Sequence, residues 1–249
     1  MAPNNRPRFG VIVGTGVAGK FKAGAPETVR IRYGEASVFL AKGDEYYFIR
    51  RHGPEDGVPP HMVNYRANIS ALGALGVKKV LALSAVGSMD PKFRVGDIGL
   101  LGQFLDFTKH REATFFEEFA AHTDMTHPYS GGLNGGLERT ARILGIDLRK
   151  GLVYVCVEGP RFETAAEIRM FRALGGDVVG MTGVPEVVLA NEMGMEYASV
   201  VVATNRAAGM QEKVSHGEVL RVMERTGTRA KELIEATIKR KGAAGMRPA

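Results

Sequence analysis

Five short apolar runs rich in β-branched residues recur along this chain, each ending at a Gly, Ser, Thr or Asn. They are Phe9–Val13 before Gly14, Lys79–Ser84 before Ala85-Val86-Gly87-Ser88, Leu152–Val157 before Glu158-Gly159-Pro160, Asp177–Thr182, and Ala198–Thr204 before Asn205. Runs of this length and content read as buried strands. Between them lie helical patterns at His61–Leu75, Leu133–Leu144, Ala165–Leu174, a stretch through Met193, and about His216–Arg240. This alternation predicts an α/β fold with a mixed central β-sheet flanked by helices. It also places ligand-binding residues at strand ends.

The remaining pattern fits the same plan. Ser37–Ala41 and Tyr46–Arg50 read as strands paired across Lys42-Gly43-Asp44, and Gly96–Leu101 and Phe104–Phe107 as two further strands. The stretch Thr114–Leu133 is loop-rich. With 249 residues, 45% of them hydrophobic, and no internal repeat or linker, one domain over 9–240 is expected, with tails at 1–8 and 241–249.

The formal charge of +6 resembles a nucleic-acid signal until its distribution is considered. Arg6, Arg8, Lys239, Arg240, Lys241 and Arg247 are six cations near the two ends, and without them the remaining cations equal the anions at 27 each. A neutral body argues against a nucleic-acid surface. No run approaches a membrane span, and the first residues lack a signal-peptide core. The one cysteine, Cys156, sits inside a proposed buried strand, so no disulfide can form within the chain and a reducing cytoplasm is expected.

Three motifs carry chemistry. After the strand ending at Val157, Gly159-Pro160 halts the ladder, Phe162 and Glu163 follow, and Thr164 is placed to cap the next helix. A ring beside a carboxylate suits a flat heterocycle bearing N–H donors; the alternative is a core Phe with a solvated Glu. Gly14-Thr15-Gly16-Val17-Ala18-Gly19 is a G-x-G-x-x-G after a strand, which raises a dinucleotide-binding Rossmann protein as a distant alternative. The residues that follow are too broken by Gly and Pro for the helix that fingerprint needs, but the turn can still cradle a free phosphate. Arg50-Arg51-His52-Gly53 places cations at another strand end, where a guanidinium fork matches phosphate. His122 and His127, five apart with Asp124 between them, share a loop that offers no further suitably spaced ligand, so no metal is expected.

Taken together, Gly14-Thr15-Gly16, Arg51-His52-Gly53, Val63-Asn64-Tyr65-Arg66-Ala67-Asn68, Ser84-Ala85-Val86-Gly87-Ser88, Glu158 to Thr164, Met181-Thr182-Gly183-Val184-Pro185-Glu186 and Ala203-Thr204-Asn205 resemble the trimeric purine nucleoside phosphorylase and methylthioadenosine phosphorylase family. Their order and spacing cover nearly the whole chain. The resemblance implies the nucleoside phosphorylase fold and reversible phosphorolysis, in which phosphate attacks C1′ of a purine nucleoside. It implies no metal or organic cofactor, with inorganic phosphate as co-substrate, and a homotrimer or a dimer of trimers. By motif match Thr15, Arg51, His52, Ala85 and Thr182 bind phosphate, Phe162, Glu163 and Asn205 hold the base, and Met181, Tyr65, His216 and His122 face the ribose. His122 belongs to the loop that relatives lend to a neighbouring subunit. Asn205 and His52 carry the catalytic roles. One departure stands out: methylthioadenosine phosphorylases commonly carry a second histidine where this chain has Asp56, and His61 downstream is a possible substitute.

The base follows from hydrogen-bond chemistry. A carboxylate at Glu163 accepts from N1–H of a 6-oxopurine, whereas adenine N1 would meet it lone pair to lone pair. Asn205 can accept from a protonated N7 and donate to O6. Adenine-specific relatives resemble a different pair, a small hydroxyl residue and an Asp, and polar groups left unpaired by the wrong base discriminate by about 10⁴-fold. Inosine and guanosine are therefore expected over adenosine, with S-methyl-5′-thioadenosine phosphorylase as the alternative. His216 matches the position where inosine-cleaving relatives place a histidine for the 5′-hydroxyl, while Asn205 to Gly209 and His122 to Tyr129 resemble methylthioinosine phosphorylases.

Overall fold

The computed structural model describes residues 7–43 and 45–244, with side chains through Arg240. The tail segments 1–6 and 245–249, and Asp44 in the proposed turn, lie outside the described residues. Among the described residues, nine strands form one mixed sheet: β1 (Phe9–Val13), β2 (Glu27–Ile31), β3 (Gly34–Leu40), β4 (Tyr47–Arg50), β5 (Lys79–Ser88), β6 (Ile98–Phe107), β7 (Leu148–Val157), β8 (Val178–Gly180) and β9 (Glu196–Arg206). Five helices flank it: α1 (Tyr65–Ala74), α2 (Gly131–Leu144), α3 (Ala165–Ala173), α4 (Gly183–Glu192) and α5 (His216–Ala244).

The strand order is β2-β3-β4-β1-β5-β8-β7-β6-β9, and β9 also pairs with β5, so the last five strands close on themselves. Strand β5 is the hub, parallel to β1 and β9 and antiparallel to β8. Its alternating side chains feed two cores. Leu81 and Leu83 join Val11, Val13, Leu133, Leu137, Leu233 and Ile234 on the face covered by α2 and α5. Val80 and Ala82 join Ile12, Ile69, Leu72, Val187 and Leu189 on the face covered by α1 and α4. A strand buried on both faces reads as a continuous apolar run, which is why these strands were legible.

Local chemistry fixes the helix starts. Asn64 accepts from Ala67 N–H, Ser130 from Leu133 N–H, and Thr164 forms a reciprocal capping box with Glu167.

Several boundaries differ from expectation. Pro59 and Pro60 confine His61 to a 3-10 turn at Pro60–Met62, and α1 begins only at Tyr65. The two strands expected at 96–107 are one, β6, whose irregular register against β7 accommodates Gly99 and Gly102. Strand β5 continues through Ser88 because its ladder with β9 persists past a bulge at Val86/Gly87. The run Asp177–Thr182 yields only β8, and Thr182 becomes the residue before α4. Strand β2 had not been foreseen, since Glu27 to Ile31 is a mostly exposed edge strand with few apolar residues. The domain also reaches past its expected limits: Arg8 accepts from Lys78 and Lys79 N–H, and α5 runs to Ala244.

Candidate active site

A cavity of about 420 Å³ opens where β1, β4, β8 and β9 end and β5 passes beneath. Parallel strands deliver Thr15 and Arg51-His52 to one end of it. Strand β8 runs antiparallel to β5, with Val179 opposite Gly87, so its exit returns Met181 and Thr182 toward Ser84 and Ala85. Ala85 is thus reached in the interior of a strand rather than beyond its end. The missing side chain at Gly14 leaves room for the Arg51 guanidinium: a Cβ there would lie 2.8 Å from Arg51 Nη1.

Arg51 is not a free cation. Its Nε donates to Glu186 Oε2 at 2.7 Å, its Nη2 to Glu186 Oε1 at 2.8 Å, and its Nη1 to the Leu83 carbonyl at 3.3 Å. Burial works against its charge, but the Glu186 carboxylate outweighs this and the pKa is raised. What faces the cavity is the outer edge of a neutralised pair. His52 Nδ1 lies 2.8 Å from the Val58 carbonyl, which can only accept, so Nδ1 carries the proton and Nε2 is the free nitrogen of the neutral ring. Burial first, then the Arg51 charge, lowers the His52 pKa.

Thr182 shows how tightly this end is held. Its N–H and that of Gly183 both donate to the buried Tyr154 hydroxyl, at 3.1 and 3.2 Å. The start of α4 therefore offers the Thr182 side chain, not those two amides, to an anion. Ser84 adds a hydroxyl that sequence reasoning did not assign: its Oγ is buried without a protein partner and the residue lines the cavity. The signal was its place beside Ala85 in a run of small residues.

At the other end stand Phe162, Glu163 and Asn205. Burial raises the Glu163 pKa above its ordinary value. Asn205 Nδ2 donates to the Arg206 carbonyl at 2.9 Å, and its Oδ1 lies 2.9 Å from the Thr204 hydroxyl. Those contacts fix the amide orientation and leave one N–H and one lone pair. Gly87 leaves it space, since a Cβ there would lie 3.1 Å from Asn205 Nδ2.

The rim is formed by Asp56 to Pro60, His216 and Val219. Asp56 has φ +55° and a pKa raised by burial, against the influence of His52 and Arg50. Three sequence-based assignments fall outside the cavity. Tyr65 is buried beneath it, its hydroxyl donating to the Pro60 carbonyl at 2.9 Å and accepting from Arg111 at 3.2 Å. His61 and His122 are exposed and line no part of it within this chain. Asp124, the carboxylate between His122 and His127, accepts from Thr126 instead.

The profile of the Phosphorylase superfamily matches residues 8–239. The chain belongs to this superfamily. A probable 6-oxopurine nucleoside phosphorylase of Moorella thermoacetica is 50% identical over 93% of this chain and 92% of its own length. A probable S-methyl-5′-thioinosine phosphorylase of Methanopyrus kandleri is 48% identical over 92% of this chain and 91% of its own. A double mutant of the adenosine/methylthioadenosine phosphorylase of Schistosoma mansoni, solved with adenine, superposes with a TM-score of 0.90 at 30% identity, covering 96% of this chain and 93% of that one. The superfamily assignment also closes the dinucleotide alternative, and the short 3-10 turn Ala18–Lys20 after Gly14 to Gly16 agrees with it.

Proposed function

We propose that this phosphorylase cleaves 6-oxopurine nucleosides with inorganic phosphate and no organic cofactor. The observation that carries the reading is Glu163 and Asn205 together at the base end of the cavity, a carboxylate for N1–H beside an amide for N7 and O6. Phe162 stacks on the purine. Thr15, Ser84, His52 and Thr182 surround phosphate, with Arg51 held by Glu186 behind them.

In the reaction a phosphate oxygen bonds to C1′ as the C1′–N9 bond breaks, and the bonding pair passes into the purine. The sugar gains cationic character beside the anion, which is stabilising, and the base takes up a proton from solvent at N7, whose N–H then donates to Asn205 Oδ1. The neutral His52 ring accepts from the hydroxyl of hydrogen phosphate through Nε2. The ribose lies along Met181, with His216 and Val219 near its 5′ end.

His122 supports a homotrimer in which its loop completes a neighbour's sugar pocket, the single buried Cys156 supports a cytoplasmic location, and release of a free purine from its nucleoside supports a role in purine salvage. The test is a phosphate-dependence assay on inosine, guanosine, adenosine, S-methyl-5′-thioinosine and S-methyl-5′-thioadenosine side by side. Phosphate-requiring cleavage led by the 6-oxo substrates is expected; equal rates without phosphate, or faster cleavage of the 6-amino substrates, would overturn it.

A further inference from the structure

Arg111 stands in the irregular segment between β6 and α2, yet its side chain is only 2% exposed. All four terminal N–H groups are used. Nη1 donates to the Val184 carbonyl at 2.6 Å and the Tyr65 hydroxyl at 3.2 Å, and Nη2 to the carbonyls of Val157 at 3.2 Å and Glu158 at 2.8 Å. The guanidinium lies over the Tyr65 ring, 5.2 Å from its centroid. Its Nε is buried without a hydrogen-bond partner, the Glu158 carboxylate standing 3.8 Å away.

The three carbonyls belong to, or directly adjoin, two of the segments that line the cavity. Val157 and Glu158 open the turn that presents Phe162 and Glu163 to the base. Val184 follows Thr182 and Gly183, and it is extended within α4 at φ −118° and ψ 132°, which turns its carbonyl out of the helical ladder. The Cys156 thiol also reaches the Val184 carbonyl at 3.5 Å, and the Tyr154 hydroxyl holds Thr182 and Gly183 to β7, but it is the planar Arg111 fork that ties Val184 to the Val157-Glu158 turn.

We infer that Arg111 is a positioning residue that sets the spacing between the purine end and the phosphate end of the cavity. It does not line the cavity and touches neither substrate. In-line displacement depends on the distance between phosphate oxygen and C1′, and a displacement near 1 Å costs about 10²-fold in rate. Each substrate can still bind its own end when the spacing is wrong, so the effect falls on kcat rather than on either KM.

The inference rests on the phosphorylase reading of the cavity, and the experiment separates the two. Arg111→Ala and Arg111→Lys are assayed with inosine and phosphate, with thermal unfolding followed in parallel. Lysine keeps the charge but lacks the planar fork, so both variants are expected to lose about 10²-fold in kcat with far smaller changes in KM for inosine and phosphate. Added guanidinium ion should restore part of the kcat of Arg111→Ala and none of that of Arg111→Lys. If Arg111→Ala does not fold, Arg111→Lys alone carries the test through its kcat. Wild-type kcat in a folded variant, even one with a lowered melting temperature, overturns this inference alone; absence of phosphate-dependent cleavage by the unaltered chain overturns both.

Discussion

The Arg51 guanidinium meets the Glu186 carboxylate fork to fork, at 2.7 and 2.8 Å, with neither side chain exposed and the two residues 135 positions apart in the chain. The Tyr197 hydroxyl donates to the same carboxylate at 2.6 Å. The proposed phosphate site is therefore backed by a cation whose charge is already balanced, which leaves recognition of the anion on that reading to hydroxyl and imidazole groups.

Removing one partner of such a pair leaves an uncompensated buried charge, which costs about 3–5 kcal/mol. Glu186→Ala should lower the unfolding free energy by that amount in urea titrations. Glu186→Gln sets an amide N–H against the guanidinium and should raise the KM for phosphate more than that for inosine. A Glu186→Ala protein as stable as wild type would mean the pair does not hold Arg51 in place.

At the base end, Glu163→Ala removes one charge-assisted contact. Transition-state stabilisation for inosine and guanosine should fall by about 2–3 kcal/mol in kcat/KM, with little change for adenosine. Asn205→Asp should shift preference toward 6-aminopurines. Equal losses on both purine classes would show that Glu163 supports the loop rather than reading the base.

His52 makes a pH prediction with a definite sign. Burial, then Arg51, depresses its folded pKa, while in the unfolded chain it titrates near 6.5. The unfolded state therefore takes up the proton first as pH falls. The contribution of His52 to stability is full above about pH 6.5 and is lost as pH drops toward its folded pKa. In phosphate-free buffer, the stability of His52→Gln relative to wild type should improve between pH 7.5 and 5.5. A difference independent of pH would mean that His52 is not held neutral.

His216 stands at the rim with Val219 on the next turn face. Replacing it with Val should cost about 1–1.5 kcal/mol in kcat/KM for inosine, the scale of one hydrogen bond, while sparing or improving S-methyl-5′-thioinosine. An unchanged ratio of the two substrates would place the 5′ group elsewhere.

The loop bearing His122 provides a test of assembly. Sedimentation should show a trimer or a multiple of it, and His122→Ala should lower kcat/KM without changing the mass. A fully active monomer would remove the reason for assigning His122 to a neighbour's pocket.

Much of this molecule was legible before any coordinates. Val11, Leu81 and Val200 lie in strands buried on both faces, so burial wrote itself as apolar runs. Thr164 and Glu167 form their capping box within four residues, and Phe162-Glu163 and Arg51-His52 are neighbours at single strand ends. Such features depend on local conformation and burial, which side-chain type and spacing encode directly. The partner of Arg51, the burial of Tyr65 beneath the cavity, the seat of Thr182 on Tyr154 and the three carbonyls gathered by Arg111 were decided only by the tertiary structure. Each depends on strand register and helix placement summed over the whole sheet, and neither residue of such a pair carries a local mark of the other.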